Sequence, residues 1–518
     1  MKRIIVLIVA GLLSVPTLLQ GQSPAFNTAK SIDMFHSILR ELSLYYVDSV
    51  KVDDLVYTGI NAMLASMDPY TEFIPEEENE SLEIMTTGSY GGVGALIKKR
   101  PGEGVLISEP YANAPITKAG LVAGDMILEI DGQSVLDWTA DACSAKMKGV
   151  AGTQVAFLVK KLREKDTVLC HVTREKVHLS DVALATVLQD SIAYIRVTGF
   201  TQGGAQDVRQ ALQTLQKNHP IKGIILDLRS NGGGLMEEAI NMLSIFLPKH
   251  TMVVSAKGRL ERFNVAYYTK DEPLDTTTPL ILLVNQSSAS SSEIVAGAIQ
   301  DLKRGTLVGT RTFGKGLVQT IRPLNYNASL KLTTAKYYIP SGRCVQAIDY
   351  SNRHEDGSLD KDEEGGIKPD IEVSSPNYSR IALEMVARDY IHEYSIHYFA
   401  NHTSIAAPEQ FALTPEEYEE FVQITAAKEF DDRSATEIML DQFKQIAEAE
   451  GYDESLASEI ASLQKRLKAN KADDLRHYES ELKPLLEEEI CCRYYFQEGR
   501  MRSIIREDPQ LNVSLTHI

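Results

Sequence analysis

Cysteine, tryptophan and positive charge are all scarce in this 518-residue chain. The five cysteines, Cys143, Cys170, Cys344, Cys491 and Cys492, are few and odd in number, and none shows C-x-x-C or zinc spacing. A disulfide framework and a zinc ribbon are therefore excluded; buried free thiols are expected, with one long-range pair left open. Lys+Arg total 53 against 71 Asp+Glu, a net charge of -18. Such a field repels phosphate backbones, so nucleic acid is not an expected partner. Hydrophobic residues at 43% and charged residues at 24% are ordinary globular values, which exclude a mostly disordered chain, a collagen-like chain and a polytopic membrane protein. No internal repeat is present. None of the 11 histidines lies in the glycine- or serine-rich loops described below.

The one long apolar run stands at the start. Lys2 and Arg3 precede Ile4–Leu19, interrupted only by Ser14, Pro16 and Thr17, and the chain turns polar at Gln20-Gly21-Gln22-Ser23. This is the pattern of a signal peptide over 1–21 cleaved near Gly21, which implies an exported, periplasmic protein. Retention of the segment would instead leave the protein membrane-associated. No cysteine follows the run, which disfavours a lipoprotein.

Four modules follow. Residues 22–87 read as helical, with Ile32, Phe35, Ile38, Leu39 and Leu42 at helical spacing. Residues 88–176 open on a glycine cluster and read as a small β-rich domain, with strands at Val93–Lys98, Val105–Glu109, Met126–Ile130 and Thr153–Lys160. Residues 177–375 alternate strands (Ile192–Val197, Gly223–Leu228, Leu280–Val284) with helices (205–217, 235–247, 293–302). Strands that are apolar on both faces are strands buried between helices, so this is an α/β core with parallel pairing. Ser351–Gly366 reads as a solvated loop by composition. Residues 376–518 are helical and charge-rich, with a long helix pattern from Leu475 to Ile505.

Three loops of the α/β segment could carry chemistry. Asn285-Gln286-Ser287-Ser288-Ala289-Ser290-Ser291-Ser292-Glu293 lies where a buried strand ends and a helix begins. A hydroxyl there suits both an N-cap and a nucleophile facing an oxyanion site. Gly309–Gln319 contains G-x-x-x-x-G-K, but Gly316 has no hydroxyl for Mg²⁺ and Leu317–Ile321 alternates as a strand, so a phosphate-binding P-loop fails. What remains is Lys315 between two glycines, placed for desolvation, which lowers a lysine's pKa toward that of a general base. Asp227-Leu228-Arg229-Ser230-Asn231-Gly232-Gly233-Gly234 is a strand-to-helix turn whose amides suit an anion. His392 and His397 are five residues apart, about 140° around a helix, and so do not converge on a metal. No metal site or cofactor is expected.

In chain order, Ser66–Thr71, Tyr90-Gly91-Gly92-Val93-Gly94, Ala119–Ile127 with Asp131-Gly132, Asp227–Gly234, Ser288–Glu293, Thr312–Gln319 and Tyr337–Arg343 together resemble the carboxyl-terminal processing proteases, serine peptidases of family S41 with a PDZ domain. The resemblance implies a multidomain α+β chain: a crotonase/ClpP-like α/β protease core with an inserted PDZ domain, an N-terminal helical module and a C-terminal helical extension. It implies Ser290 as nucleophile, Lys315 as general base, Gln319 as the residue orienting that lysine, and the amides of Gly233 and Ser291 as the oxyanion hole. Ser291 stands where relatives commonly have Ala, and Gly232 where many have Pro.

By the same resemblance, neutral Lys315 would take the Ser290 hydroxyl proton as the oxygen attacks a peptide carbonyl, then protonate the leaving amine, and water would release the acyl-enzyme. The PDZ domain would capture a free apolar C-terminus through backbone groups at Gly92, Val93 and Gly94, with the strand from Ala95 adding the peptide as an extra strand. Expected partners are unfolded or C-terminally exposed protein substrates, a second copy of the chain in a dimer, and a helper protein. The rival reading is a non-catalytic PDZ scaffold or chaperone.

Overall fold

The computed structural model describes residues 24–518 except 101, 165, 355, 376, 431–434 and 468–470. The signal segment expected over 1–21 lies outside the described residues. The α/β core is a six-stranded sheet, ordered Val182–Leu188, Ile192–Val197, Gly223–Asp227, Leu280–Val284, Thr306–Gly309, Ile371–Glu372. The first pair is antiparallel and the other four are parallel. Gly223–Asp227 and Leu280–Val284 are buried at every position, as their apolar runs Ile224–Leu226 and Leu280–Val284 require.

Each face of this sheet is covered by a different part of the chain. On one face Val208 and Leu212, Ile240 and Leu243, and Ile294 and Ala298, from helices Gly204–Asn218, Met236–Phe246 and Ser291–Asp301, join the main core. The other face, formed by Leu184, Tyr194, Ile225, Ile281, Leu283 and Val308, is closed by Leu511 of the helix Pro509–Thr516, with Met501 and Ile505 alongside. The end of the C-terminal helical region is thus part of the α/β core's packing.

The PDZ domain is joined to the rest by a two-stranded ribbon, Ser89–Gly92 antiparallel to Glu175–His178, through which the chain enters and leaves. Its own sheet runs Ala95–Arg100, Gly104–Pro110, Met126–Ile130, Gln154–Lys160, Thr167–Thr173, so Ala95–Arg100 is an edge strand. Polar contacts fix its second strand to the C-terminal helices. His392 Nε2 lies 2.9 Å from Ser108 Oγ, Arg493 donates to Ser108 O, and Arg500 pairs with Glu109 at 3.0 Å.

Three expectations need amendment. The N-terminal module is not wholly helical: after helices Pro24–Tyr45 and Val52–Ala65, the strand Glu72–Ile74 pairs with Ser329–Tyr338. The stretch 351–366 is not simply a solvated loop, because Ile348–Arg353 and Leu359–Lys361 form a hairpin and Gly365 and Gly366 are buried. A Cβ on Gly365 would lie 2.4 Å from Ala347 Cα, which is why glycine stands there. The pattern Leu475–Ile505 is split into Lys471–His477 and Glu479–Ile504. All five cysteines are free, with Cys143, Cys491 and Cys492 buried. His392 and His397 bond separately, to Ser108 and Glu420.

One buried ionic cluster ties these parts together. Asp227, at 0% exposure, accepts from the Tyr194 hydroxyl (2.7 Å), Arg196 (2.8 Å) and Arg229 (2.6 Å), and Arg229 also reaches Asp508 and Gln510. Burial alone would push the Asp227 carboxyl up, but the Arg229 and Arg196 guanidiniums hold it at about 2. Asp227→Asn is expected to cost about 3–5 kcal/mol, since it leaves the largely buried Arg196 without its carboxylate and Arg229 with Asp508 alone. Because the folded pKa is depressed, this contribution is full above about pH 4, the unfolded value, and is lost as pH falls toward 2. Denaturant titrations of both proteins from pH 6 to pH 2 check this, the gap between them closing at the acid end.

Candidate active site

Ser290 sits at the turn between strand Leu280–Val284 and helix Ser291–Asp301, with φ 56° and ψ -114°. A non-glycine residue in that region is strained, and such turns project a side chain from the end of a sheet. The surrounding loop is held by its serines. The Ser288 hydroxyl donates to Leu228 O (2.8 Å), Ser291 to Gly234 O (3.0 Å) and Ser292 to Asn231 O (2.9 Å). Three of the hydroxyls in this serine-rich run are therefore committed to the glycine loop 228–234, which answers why Ser291 stands in this chain: it fastens the two loops. Ser290 lines a cavity of about 520 Å³ with Gly232–Gly234, Lys315, Leu317 and Gln319. The helix Asn79–Thr87 contributes Leu82, Met85 and Thr86 to its wall.

Ser290 and Lys315 are brought together through their main chains by two buried groups. Glu293, 0% exposed, takes the Ser290 N–H (2.9 Å) and Lys315 N–H (2.8 Å) on Oε2, and the Gly314 N–H (2.7 Å) and Thr312 hydroxyl (2.6 Å) on Oε1. Burial pushes its pKa up, opposed by these four donors. The buried Tyr337 hydroxyl lies 2.6 Å from Lys315 O and 3.0 Å from Ser290 O, sharing its proton between the two carbonyls. Glu293 appeared in the sequence only as the end of the serine motif, and Tyr337 only as the start of another. A carboxylate three residues into a helix reads as a cap, and its bonds to residues 312–315 are set by tertiary structure.

Burial and the neighbouring Lys331 ammonium lower the Lys315 pKa, against Glu72, Asp68 and Glu293, which raise it. Among the described residues no hydrogen bond joins Lys315 Nζ to Ser290 Oγ; the ammonium instead lies 4.3 Å from the centroid of the Tyr70 ring.

Two expected partners are placed differently from the sequence reading. The Gln319 amide donates to Thr333 Oγ1 (3.2 Å) and makes no bond to Lys315. The partner strand, Ser329–Tyr338, carries one extra residue, Thr334, opposite the Val318–Gln319 step, which sets Gln319 opposite Thr333. The Gly233 N–H is occupied by Asn231 Oδ1 (2.9 Å), whereas the Ser291 N–H stands at the open first turn of its helix. Gly233 has φ 98°, and a Cβ there would lie 2.8 Å from Ser290 Cβ, so only glycine allows this loop to touch the serine.

In the PDZ domain, Val93, Gly94 and Ala95 line a separate cavity of about 210 Å³ with Leu96, Ile97, Tyr111 and Met147. It lies between the edge strand Ala95–Arg100 and helix Ala140–Met147. Gly92 is buried in the entry ribbon and does not line it.

Comparison with known proteins agrees with this layout. Residues 191–373 match the family model "Peptidase family S41", residues 81–160 a PDZ domain, and residues 381–518 "Probable PDZ-protease, C-terminal helical domain". A carboxy-terminal-processing protease of Bartonella bacilliformis is 34% identical over 384 residues, covering 73% of this chain and 84% of the relative. This chain belongs to peptidase family S41. It is a serine-type peptidase with a PDZ domain and a C-terminal helical domain. A carboxyl-terminal-processing protease of Synechocystis sp. is 38% identical over 329 residues, 62% of this chain and 71% of its own. The carboxy-terminal processing protease CtpA of Bacillus subtilis is 29% identical over 362 residues, 70% and 73% of the two chains.

Replacing Glu293 of this S41 peptidase by Gln leaves two of its four donors, either the Ser290 and Lys315 N–H groups or the Gly314 N–H and the Thr312 hydroxyl, facing an amide N–H₂. The expected result is a stability loss of about 1–3 kcal/mol per stranded donor. A fall in kcat of at least about tenfold with little change in KM should accompany it, because the distance between residues 290 and 315 relaxes. Thermal melts and steady-state kinetics on the same sample check both parts.

Proposed function

We propose that the protein is an exported, periplasmic endopeptidase that selects substrates by their C-termini and cleaves them with Ser290 as nucleophile and Lys315 as base. The observation that carries this reading is the shared anchoring of Ser290 and Lys315 on Glu293 at the floor of one accessible cavity. Neutral Lys315 takes the Ser290 hydroxyl proton as the oxygen attacks the carbonyl carbon, and the C–N bond breaks as Lys315 returns that proton to the amine. The Ser291 N–H, at a helix N-terminus, supplies a donor to the oxyanion; Gly233 joins it once its amide turns away from Asn231.

Two movements complete this site, the swing of the Lys315 side chain from Tyr70 to Ser290 and the turn of the Gly233 amide away from Asn231, while Gln319 keeps its strand fixed through Thr333. The edge strand at Ala95 and the adjoining apolar cavity suit an added peptide strand ending in an apolar residue. For assembly, the exposed Ile32, Phe35 and Ile38 on helix Pro24–Tyr45 are the face that a second copy of the chain would cover, and a helper protein would compete for it.

Purified protein, Ser290→Ala and Lys315→Ala are compared on an unstructured polypeptide. Both variants should lose cleavage by at least about a thousandfold; retained cleavage in either removes it from the dyad, and absence of cleavage in all three favours the scaffold reading. In a second comparison, amidating an apolar C-terminus should raise KM about tenfold or more, the loss expected for one charge-assisted contact. Indifference to amidation removes the C-terminus-reading role.

A further inference from the structure

The Ser66–Thr71 motif lies outside the α/β segment, yet the structure brings it against the lysine. Asp68, buried to 7% exposure, accepts the N–H groups of Tyr70 and Thr71 on Oδ1 (2.8 Å each) and the Thr71 hydroxyl on Oδ2 (2.9 Å). This fixes the turn and aims Tyr70. Thr71 Oγ1 accepts the Thr333 N–H at 3.3 Å, and the following strand Glu72–Ile74 pairs with Ser329–Tyr338. That strand is the partner of Leu317–Pro323, which begins two residues after Lys315. The turn is therefore built onto the same sheet that carries the lysine. Tyr70 is half-buried, backed edge-on by Tyr350 at 6.1 Å between ring centroids, and its face meets Lys315 Nζ at 4.3 Å.

We propose that Tyr70 is a positioning residue for the reaction: its ring face holds the charged Lys315 ammonium inside the site and releases the neutral amine to Ser290. This rests on Lys315 being the base. The physical basis is the ring quadrupole, which attracts a cation and has no comparable attraction for a neutral amine. The other groups facing Lys315 come from every element around it: Lys331 from strand Ser329–Tyr338, Glu72 from Glu72–Ile74, Asp68 from the turn and Glu293 from the helix. Lys331 is paired with Glu72 at 3.0 Å, which balances two of these charges against each other. Tyr70 thus adds stabilisation of the charged form to that supplied by the remaining carboxylates, Asp68 and Glu293. Its effect is to raise the pH at which the lysine becomes a base, while keeping an otherwise dry ammonium from withdrawing into solvent.

The test follows kcat/KM against pH in the full chain, comparing Tyr70→Phe, which keeps the ring, with Tyr70→Leu and Tyr70→Met, which keep apolar bulk but have no π face. Activity rises with pH as Lys315 loses its proton, so removing the ring should move this acid limb to lower pH by about half to one unit. At one pH unit below the native midpoint, the ringless variants then retain about threefold to fivefold more of their plateau than the native protein does. Tyr70→Phe should superimpose on the native profile. The inference is overturned if Leu and Met leave the limb in place, or if Phe moves with them. Two ringless variants, each checked by thermal melt, guard against one that fails to fold. Lys315→Ala is run alongside: cleavage surviving in it would remove the base assignment itself, a result distinct from any outcome at Tyr70.

Discussion

A single buried carboxylate sets the geometry of this molecule's chemistry. Among the described residues Glu293 forms no ion pair; four donors from two loops compensate its burial. Removing a carboxylate from water is unfavourable unless its lone pairs are filled, so the loop of Ser290 and the loop of Lys315 are held to positions that fill them. The constraint falls on main chains. It leaves the side chains of Ser290 and Lys315 free to change rotamer, which a proton transfer between them requires. Tyr337 repeats the arrangement with opposite polarity, a hydroxyl between two carbonyls.

Around this centre the modules are interlocked more than a linear reading of domains suggests. The N-terminal segment adds a strand to the sheet that carries Lys315 and brings Tyr70 to its ammonium. The helix Asn79–Thr87 puts Leu82 and Met85 into the active-site cavity and Ile84 beside the PDZ groove. The C-terminal region closes the second face of the protease sheet through Leu511 and meets the buried Asp227–Arg229 pair through Asp508 and Gln510. A parallel sheet needs both faces covered, and here one cover comes from the far end of the chain.

Much of the fold was legible because period and composition are local properties. Ile192–Val197, Met126–Ile130 and Leu280–Val284 were readable to the residue from their apolar patterns. The candidate loops were readable because glycine, serine and lysine cluster where strands end. The strand at Glu72 was missed, since three residues carry no period and owe their conformation to pairing with Ser329–Lys331. The resemblance placed Gln319 on Lys315, but an extra residue in the partner strand sets it opposite Thr333, to which it donates. Gly233 looked like a free amide because its neighbour's side chain, Asn231, could equally have pointed elsewhere.

By itself the sequence determined the residue types available for acyl transfer, the order of the modules and the absence of metal or disulfide spacing, since each depends on neighbours a few positions apart. Only the tertiary structure decided which serine hydroxyls are committed to the glycine loop, which carboxylate joins residues 290 and 315, and where the lysine rests. Those are contacts between segments 22 to more than 200 residues apart, with Lys315 beside Glu293 and the same lysine against Tyr70. They arise because buried donors, acceptors and charges must find partners wherever packing brings them, and no local pattern records that choice.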